Sequence, residues 1–296
     1  MGIYYHKACS LHRIPNHPEH YTRVDSIIQA LQTTFPLGSL SFREAGLVTK
    51  EQILLFHTTG HLARFMKLAD DAAAAYSKRK MVKYLSIDSD TTVMWHTKNA
   101  AFRAAGAVIS ALEDMYLPRS GAGHVDTALC VVRPPGHHAV RPPGHPAERD
   151  KSCGFCFFNN VAIGAKYAQA HLGVGRVAVL DWDVHHGNGT EEGFTPHDSL
   201  FYGSTHGRDH FPGSGKDPSP FVGEKAKKPI HRRIVNRELT PGKKSRPEFY
   251  SKWGEILAEM ELFRPDLVIM SAGFDAHKDD PLAECWLQVG RRTQKT

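Results

Sequence analysis

The 296-residue chain contains no stretch of about 18 apolar residues, so nothing in it reads as a membrane-spanning helix. Its amino terminus lacks the apolar core of a secretory signal, and His6 stands where an N-myristoylation signal requires Ser or Thr. Cysteine is scarce: there are five, an odd number without the spacing of a disulfide framework, as in a reducing compartment. Cys153-Gly-Phe-Cys156 has thioredoxin-type spacing, but no strand-like run leads into it, which weighs against a redox motif. No repeat of solenoid period occurs and no linker divides the chain. The formal net charge of +6 comes partly from Lys225-Ala-Lys-Lys228, Arg232-Arg233 and Lys243-Lys-Ser-Arg246, in a Pro- and Gly-punctuated stretch without interleaved aromatics. That is the pattern of a solvated loop, and no direct nucleic-acid binding is expected. A soluble protein, nuclear and/or cytoplasmic, is expected from these absences.

What is present is an alternation. Short apolar runs at 128–132, 177–180, 199–202 and 267–270 are separated by helical stretches such as 160–172 and 248–262. Such alternation argues for βαβ units, and the expectation is an α/β fold, three-layer α/β/α with a mainly parallel central sheet, in one domain over 1–296.

Chemistry gathers where these runs end. The run at 177–180 continues into Asp181-Trp-Asp183-Val-His185-His186-Gly187-Asn188-Gly189, with three candidate metal ligands at alternate positions. Side chains in a strand alternate faces, so Asp181, Asp183 and His185 are expected to project to one side. Carboxylate plus imidazole suits Zn²⁺, and a catalytic zinc needs three protein ligands with a fourth position open. The run at 267–270 breaks at Gly273 and presents Asp275, and ligands in parallel α/β sheets gather outside the carboxyl ends of strands. The run at 128–132 ends in Arg133-Pro-Pro-Gly-His137-His138, a source of a general base. Taken singly, each Asp or His is more often a solvated or capping residue. Buried aromatics usually only pack. The ordered set reverses that weighting.

RPPGHH, GFCFFNN (154–160), DWDVHHGNG and SAGFDAH follow one another as in the zinc-dependent histone deacetylases, which this chain resembles in their class II form. The resemblance runs from NHPEHYTR (16–23) through DSDT (88–91) to DDPLA (279–283). It implies that Asp183, His185 and Asp275 hold one Zn²⁺, that His138 is the general base with His137 as its electrostatic partner, and that Asp181 supports His137. Asn188 stands where class I deacetylases have Asp; an amide can orient His138 without stabilising its imidazolium, which favours a neutral base. The related ureohydrolases bind two Mn²⁺ through further aspartates, whereas this chain has Gly187 and Asn188, so one zinc is the better reading. By the same resemblance Gly154, Phe155 and Phe211 line a tunnel for the lysine stem, Asp90 holds the substrate backbone at the rim, and Arg23 lines an internal channel. Asp181, Asp183, His185, Ser204 and Thr205 match the segment that cradles a structural K⁺. Leu282 takes the place of the acidic gatekeeper of the polyamine deacetylases, which points to acetylated protein or histone peptides as substrates. A corepressor or chromatin complex is the implied partner.

Two departures set further expectations. Residues 140–147 repeat 132–139, with Pro146 where the second histidine stands in the first copy, so the second copy reads as an insertion and His138 keeps the base role. The resemblance also predicts a domain incomplete at its carboxyl end, since the family continues to a Gly-rich segment ending in Tyr or His that stabilises the oxyanion. Losing one such donor costs roughly 10²- to 10³-fold. Beside an active protein lysine deacetylase, a weak or inactive scaffold binding acetyl-lysine and a hydrolase of small amides or acetylpolyamines remain as alternatives.

Overall fold

The computed structural model describes residues 1–116, 123–140, 151–216, 233–282 and 285–288. They form two compact units: unit 1 comprises 1–175 with 189–196, and unit 2 comprises 176–188 with 197–296.

Unit 1 is built on a three-stranded parallel sheet in the order β2 (Ser41–Glu44), β1 (Gly2–Tyr5), β5 (Ala128–Cys130). Alternation in β1 sends Ile3 to one face and Tyr4 to the other. Ile3 packs with Val24 and Ile28 of α1 (Thr22–Thr34), and Tyr4 packs with Ala107 and Ala111 of α4 (Thr97–Tyr116), so the sheet lies between two helices. Half of the buried residues of α4 are alanine, and small side chains such as Ala107 and Ala111 let it sit close to the strands. Around this core lie a 3₁₀ turn (Lys7–Leu11), α2 (Lys50–Ile53), α3 (Thr59–Arg79), the antiparallel pair β3 (Leu85–Ser86) and β4 (Thr92–Val93), and α5 (Asn160–His171). Helix starts are capped from the sequence: Thr49 with Gln52 forms a capping box on α2, Thr58 caps α3, and the Asn159 side chain accepts from the Ala162 N–H of α5.

Unit 2 carries a four-stranded parallel sheet in the order β8 (Ile234–Leu239), β7 (Leu200–Gly207), β6 (Val177–Asp181), β9 (Leu267–Ser271). Helix α7 (Ser245–Phe263) covers one sheet face, where Ile256 and Phe263 pack on Ala178, Leu180, Phe201 and Val235, while α6 (Asn188–Phe194), which follows β6 in the chain, belongs to unit 1 from Gly189 onward. Both units thus have an α/β fold with parallel sheets.

The four apolar runs seen in the sequence all become strands, with one extension. The run expected at 199–202 continues to Gly207, and its polar residues Ser204, Thr205 and His206 are buried with the rest. The basic stretch read as loop is interrupted by β8, and its last residues Ser245 and Arg246 open α7. Residues 217–232, and all of the second octapeptide copy except Val140, lie outside the described residues. All five cysteines are free, and no helix among the described residues is long and apolar enough to cross a membrane.

Candidate metal centre and histidine pair

Strands β6 and β9 run in register, with Asp181 opposite Ser271, so their carboxyl ends finish together and both following loops start from one line. The strand does not continue as expected beyond Asp181. Residues 182–187 are irregular, and Asp181 is not among the three residues whose ligand atoms gather. It is fully buried, accepting from the Asp183 N–H (3.1 Å) and from the Tyr202 hydroxyl (3.3 Å). The alternate spacing therefore brings two of its three residues to one point, not all three. Asp183 folds back over its own loop by accepting the His185 N–H at 2.8 Å, an Asx-type turn that replaces strand pairing.

Asp183, His185 and Asp275 come together, with one ligand atom from each lying within 4.8 Å of the others. His185 Nδ1 is 3.1 Å from Asp183 Oδ1 and 2.9 Å from Asp275 Oδ2. The second Asp275 oxygen accepts the Val184 N–H at 3.0 Å, which fixes the carboxylate. Gly273 is required beside them: a Cβ there would lie 2.0 Å from Asp183 Oδ2, inside the carboxylate. All three side chains are partly buried.

The donor set fits zinc. A tetrahedral ion with bonds of about 2.0–2.2 Å separates its ligand atoms by roughly 3.3 Å, a few tenths of an ångström more than the two spacings from His185 Nδ1. The electrostatics point the same way. Burial pulls the His185 pKa down, but hydrogen bonds and proximity to both carboxylates outweigh it and push the value up to about 10. Two carboxylates thus demand one positive charge, which protonated His185 supplies when no other cation does; a divalent ion would replace that proton and leave the ring neutral.

Phe211 stands beside this centre. Its ring is 6.3 Å from that of His185, inclined at 70°, and the side chain is 46% exposed. Ser204, opposite Asp181 in the β6–β7 pairing, and Thr205 follow at the end of β7, so the residues matched to a K⁺ segment share one end of the sheet. Leu282 is exposed and donates its N–H to Asp280. Asn188 begins α6, its N–H donating to the His186 carbonyl at 2.9 Å.

In unit 1, His137 and His138 are both buried, their rings 4.0 Å apart and tilted by 47°. Their backbone is tied down. The His137 carbonyl accepts the Thr190 N–H, and the His138 carbonyl accepts from the Cys153 thiol, which burial pushes up to about 11 and keeps protonated. Cys153 and Cys156 exchange two backbone hydrogen bonds across a two-residue turn in which Gly154 and Phe155 take φ of 56° and 68°. Phe155 N–H donates to Thr91 Oγ1 (3.1 Å), its ring stands edge-on to His17 at 4.5 Å, and His17 Nε2 meets the Asp90 carbonyl at 3.0 Å. The sequence-predicted residues Asp90, Gly154 and Phe155 are therefore neighbours. Burial and the nearby Asp88 raise the Asp90 pKa.

The Arg23 side chain forms a long ion pair to Glu19 at 3.6 Å. The arginine that dominates this region is Arg133, the first residue of RPPGHH, which sequence reasoning left without a role. Buried Arg133 donates to both oxygens of buried Glu19 and to the carbonyls of Cys9, His12 and Glu19. The pairing joins positions 114 residues apart, and no local signal announces it. Also unforeseen are His186 and His206, both buried, with rings 4.7 Å apart.

Comparison with known proteins gives one consistent answer. The family model for the histone deacetylase domain matches residues 17–294. Histone deacetylase 6 of Caenorhabditis elegans is 36% identical over 279 residues, covering 91% of this chain and 27% of that protein. Type-2 histone deacetylase 2 of Dictyostelium discoideum is 33% identical over 301 residues, covering 94% of this chain and 17% of that protein. The chain thus spans about a quarter or less of the length of these relatives. Among solved structures, the acetylpolyamine aminohydrolase of Burkholderia pseudomallei superposes with a TM-score of 0.74 at 26% identity, over 97% of this chain and 85% of that one.

Proposed function

Because the chain belongs to the histone deacetylase domain family, we propose that it is a zinc-dependent amidohydrolase that cleaves N6-acetyl-lysine in proteins, histones among them, to lysine and acetate. The observation that carries this reading is the convergence of Asp183, His185 and Asp275 with Phe211 at their side. These three residues would hold one zinc, which when bound supplies Lewis-acid polarisation of the acetyl carbonyl and acidifies water.

The chain's own groups do the rest. His138 takes the proton from the attacking water and returns one to the departing lysine amine, so that water and amide become acetic acid and amine, which ionise to acetate and lysine ammonium. His137 steadies the charge on His138, Asn188 orients it, and Asp181 supports His137. Phe155 and Phe211 grip the four-carbon lysine stem, with Gly154 giving the chain room to turn, and Asp90 accepts a substrate backbone N–H. Asp181, Asp183, His185, Ser204 and Thr205 form the proposed K⁺ cradle, and Arg23 the channel. A corepressor or chromatin complex is the proposed partner, and nucleus or cytoplasm the proposed location.

A second reading, deacetylation of small acetylated amines, draws on the likeness to the acetylpolyamine enzyme. Exposed, uncharged Leu282 offers nothing to a cationic amine and favours the protein substrate. Acetate release from acetyl-lysine peptides, acetylpolyamines and small amides, each with Asp183→Ala as control, separates them. Peptide turnover lost in the variant is the expected result. Turnover of acetylpolyamines alone moves the assignment to the second reading, and none above the control rejects both.

A further inference from the structure

The loop that presents Phe211 leaves β7 at Gly207 and returns at Gly215, and unforeseen histidines hold its returning end. His186 Nδ1 is 2.8 Å from Ser214 Oγ, and His206 Nε2 is 3.0 Å from the Gly215 carbonyl. A carbonyl only accepts, so His206 Nε2 carries the hydrogen, and in the neutral ring Nδ1 then accepts from Ser204 Oγ, 2.9 Å away on the same strand. The two rings lie 4.7 Å apart, and Tyr202 stands edge-on to His186 at 6.0 Å. The backbone at Gly215, with φ of +79°, passes so close that a Cβ would sit 2.5 Å from the His186 ring and 2.7 Å from His206 Nε2. Inside the loop, the Gly213 N–H donates to the His210 carbonyl at 2.8 Å, and the Arg208 N–H ties the outgoing end to Leu239.

We propose that His186 and His206 are positioning residues: through Ser214 and Gly215 they fix the loop so that Phe211 is held beside His185 to receive the substrate's lysine stem. Neither histidine touches the reacting atoms. They set how tightly the stem is gripped, which is a property of KM rather than of the hydrolytic step. The proposal rests on the deacetylase reading for its substrate and on the loop contacts for its geometry.

The test separates the two. Hydrogen exchange at the Gly213 and Gly215 amides, zinc content, and kcat and KM for an acetyl-lysine peptide are compared in wild type, Ser214→Ala, Ser214→Thr and Gly215→Ala. Removing one hydrogen bond from the clamp should speed loop exchange and raise KM about fivefold in Ser214→Ala, with kcat and zinc content unchanged. Threonine, which keeps the hydroxyl, should restore both, and Gly215→Ala, which pushes both rings, should exceed the serine variant. Unchanged exchange in Ser214→Ala would overturn the clamp. Faster exchange with unchanged KM, or a fall in kcat with loss of zinc, would overturn its role in gripping substrate. Wild type that shows no turnover on any acetyl-lysine peptide would sink the deacetylase reading and the substrate role together, while the exchange data alone still decide the clamp.

Discussion

The two units hold their functional side chains by opposite means. In unit 1 the strand that ends at RPPGHH is secured by a closed ion pair: Arg133 spends its donors on Glu19 and three backbone carbonyls, and His137 and His138 sit beyond it on a backbone tied by hydrogen bonds. In unit 2 the strands end in a cluster that does not balance itself, two carboxylates against one imidazole whose pKa is driven up to about 10. The first arrangement is complete with protein atoms alone. The second asks for a cation. One chain can thus combine a closed ion pair with a candidate metal site, because charge is neutralised internally in one place and left in excess in the other.

The largest way to break this comparison is to remove the base while leaving the anionic cluster intact. His138→Ala should lower acetate release by roughly 10²- to 10⁴-fold while zinc content stays at the wild-type value, measured by elemental analysis beside steady-state kinetics. Next, Arg133→Met leaves buried Glu19 with its long ion pair to Arg23 in place of the close guanidinium. It should cost about 3–5 kcal/mol in chemical denaturation, with amide exchange speeding up first in 2–34 and not in β6, β7 and β9. The complementary change in unit 2 is Gly273→Ala, whose Cβ collides with Asp183. It should weaken zinc affinity about 10- to 100-fold in competition with a chelator and leave unit 1 exchange untouched.

The smallest effect is a pH dependence confined to the frame. His12 is buried against Thr97, its ring nitrogen 2.9 Å from the hydroxyl, and burial, then the charges of Arg133 and His17, depress its pKa from 6.5 to about 3. Above 6.5 the ring is neutral in folded and unfolded chain alike and its contribution is fully present. As pH falls from 6.5 towards 3 the unfolded chain binds a proton that the folded one refuses, so stability is lost by up to about 1.4 kcal/mol per pH unit. His12→Asn should flatten the denaturation midpoint across pH 6.5 to 5 relative to wild type, and equal slopes in the two proteins would exclude His12 as the source.

The sequence showed the parts of the fold where local pattern and chemistry coincide. The runs at 177–180 and 267–270 are the cores of β6 and β9, and the helical stretches at 160–172 and 248–262 are α5 and α7 within a few residues. The 177–180 run is apolar because β6 is buried on both faces, a signal that needs no partner to be read, whereas β9 leaves Val268 and Met270 exposed. β2 and β8 carry no such signal: Ser41–Glu44 is a largely exposed edge, and Ile234–Leu239 places Asn, Arg and Glu inside an edge strand. Asp183, His185 and Asp275 could be found because they sit just past strand ends. Alternation still misplaced Asp181, since an Asx turn rather than strand geometry brings His185 round. The Arg133–Glu19 pair and the His186–Ser214 contact span 114 and 28 positions, and only the folded chain brings them together. A second histidine directly after a candidate ligand was the one available hint for His186.

The most direct test of the central claim is zinc stoichiometry after exhaustive dialysis, in wild type and in Asp183→Ala, His185→Ala and Asp275→Ala. One zinc per chain in the wild type and its loss in each folded variant is the expected result. Zinc retained at full stoichiometry in any two of the three variants would place the metal elsewhere and contradict the assignment of the unit 2 cluster.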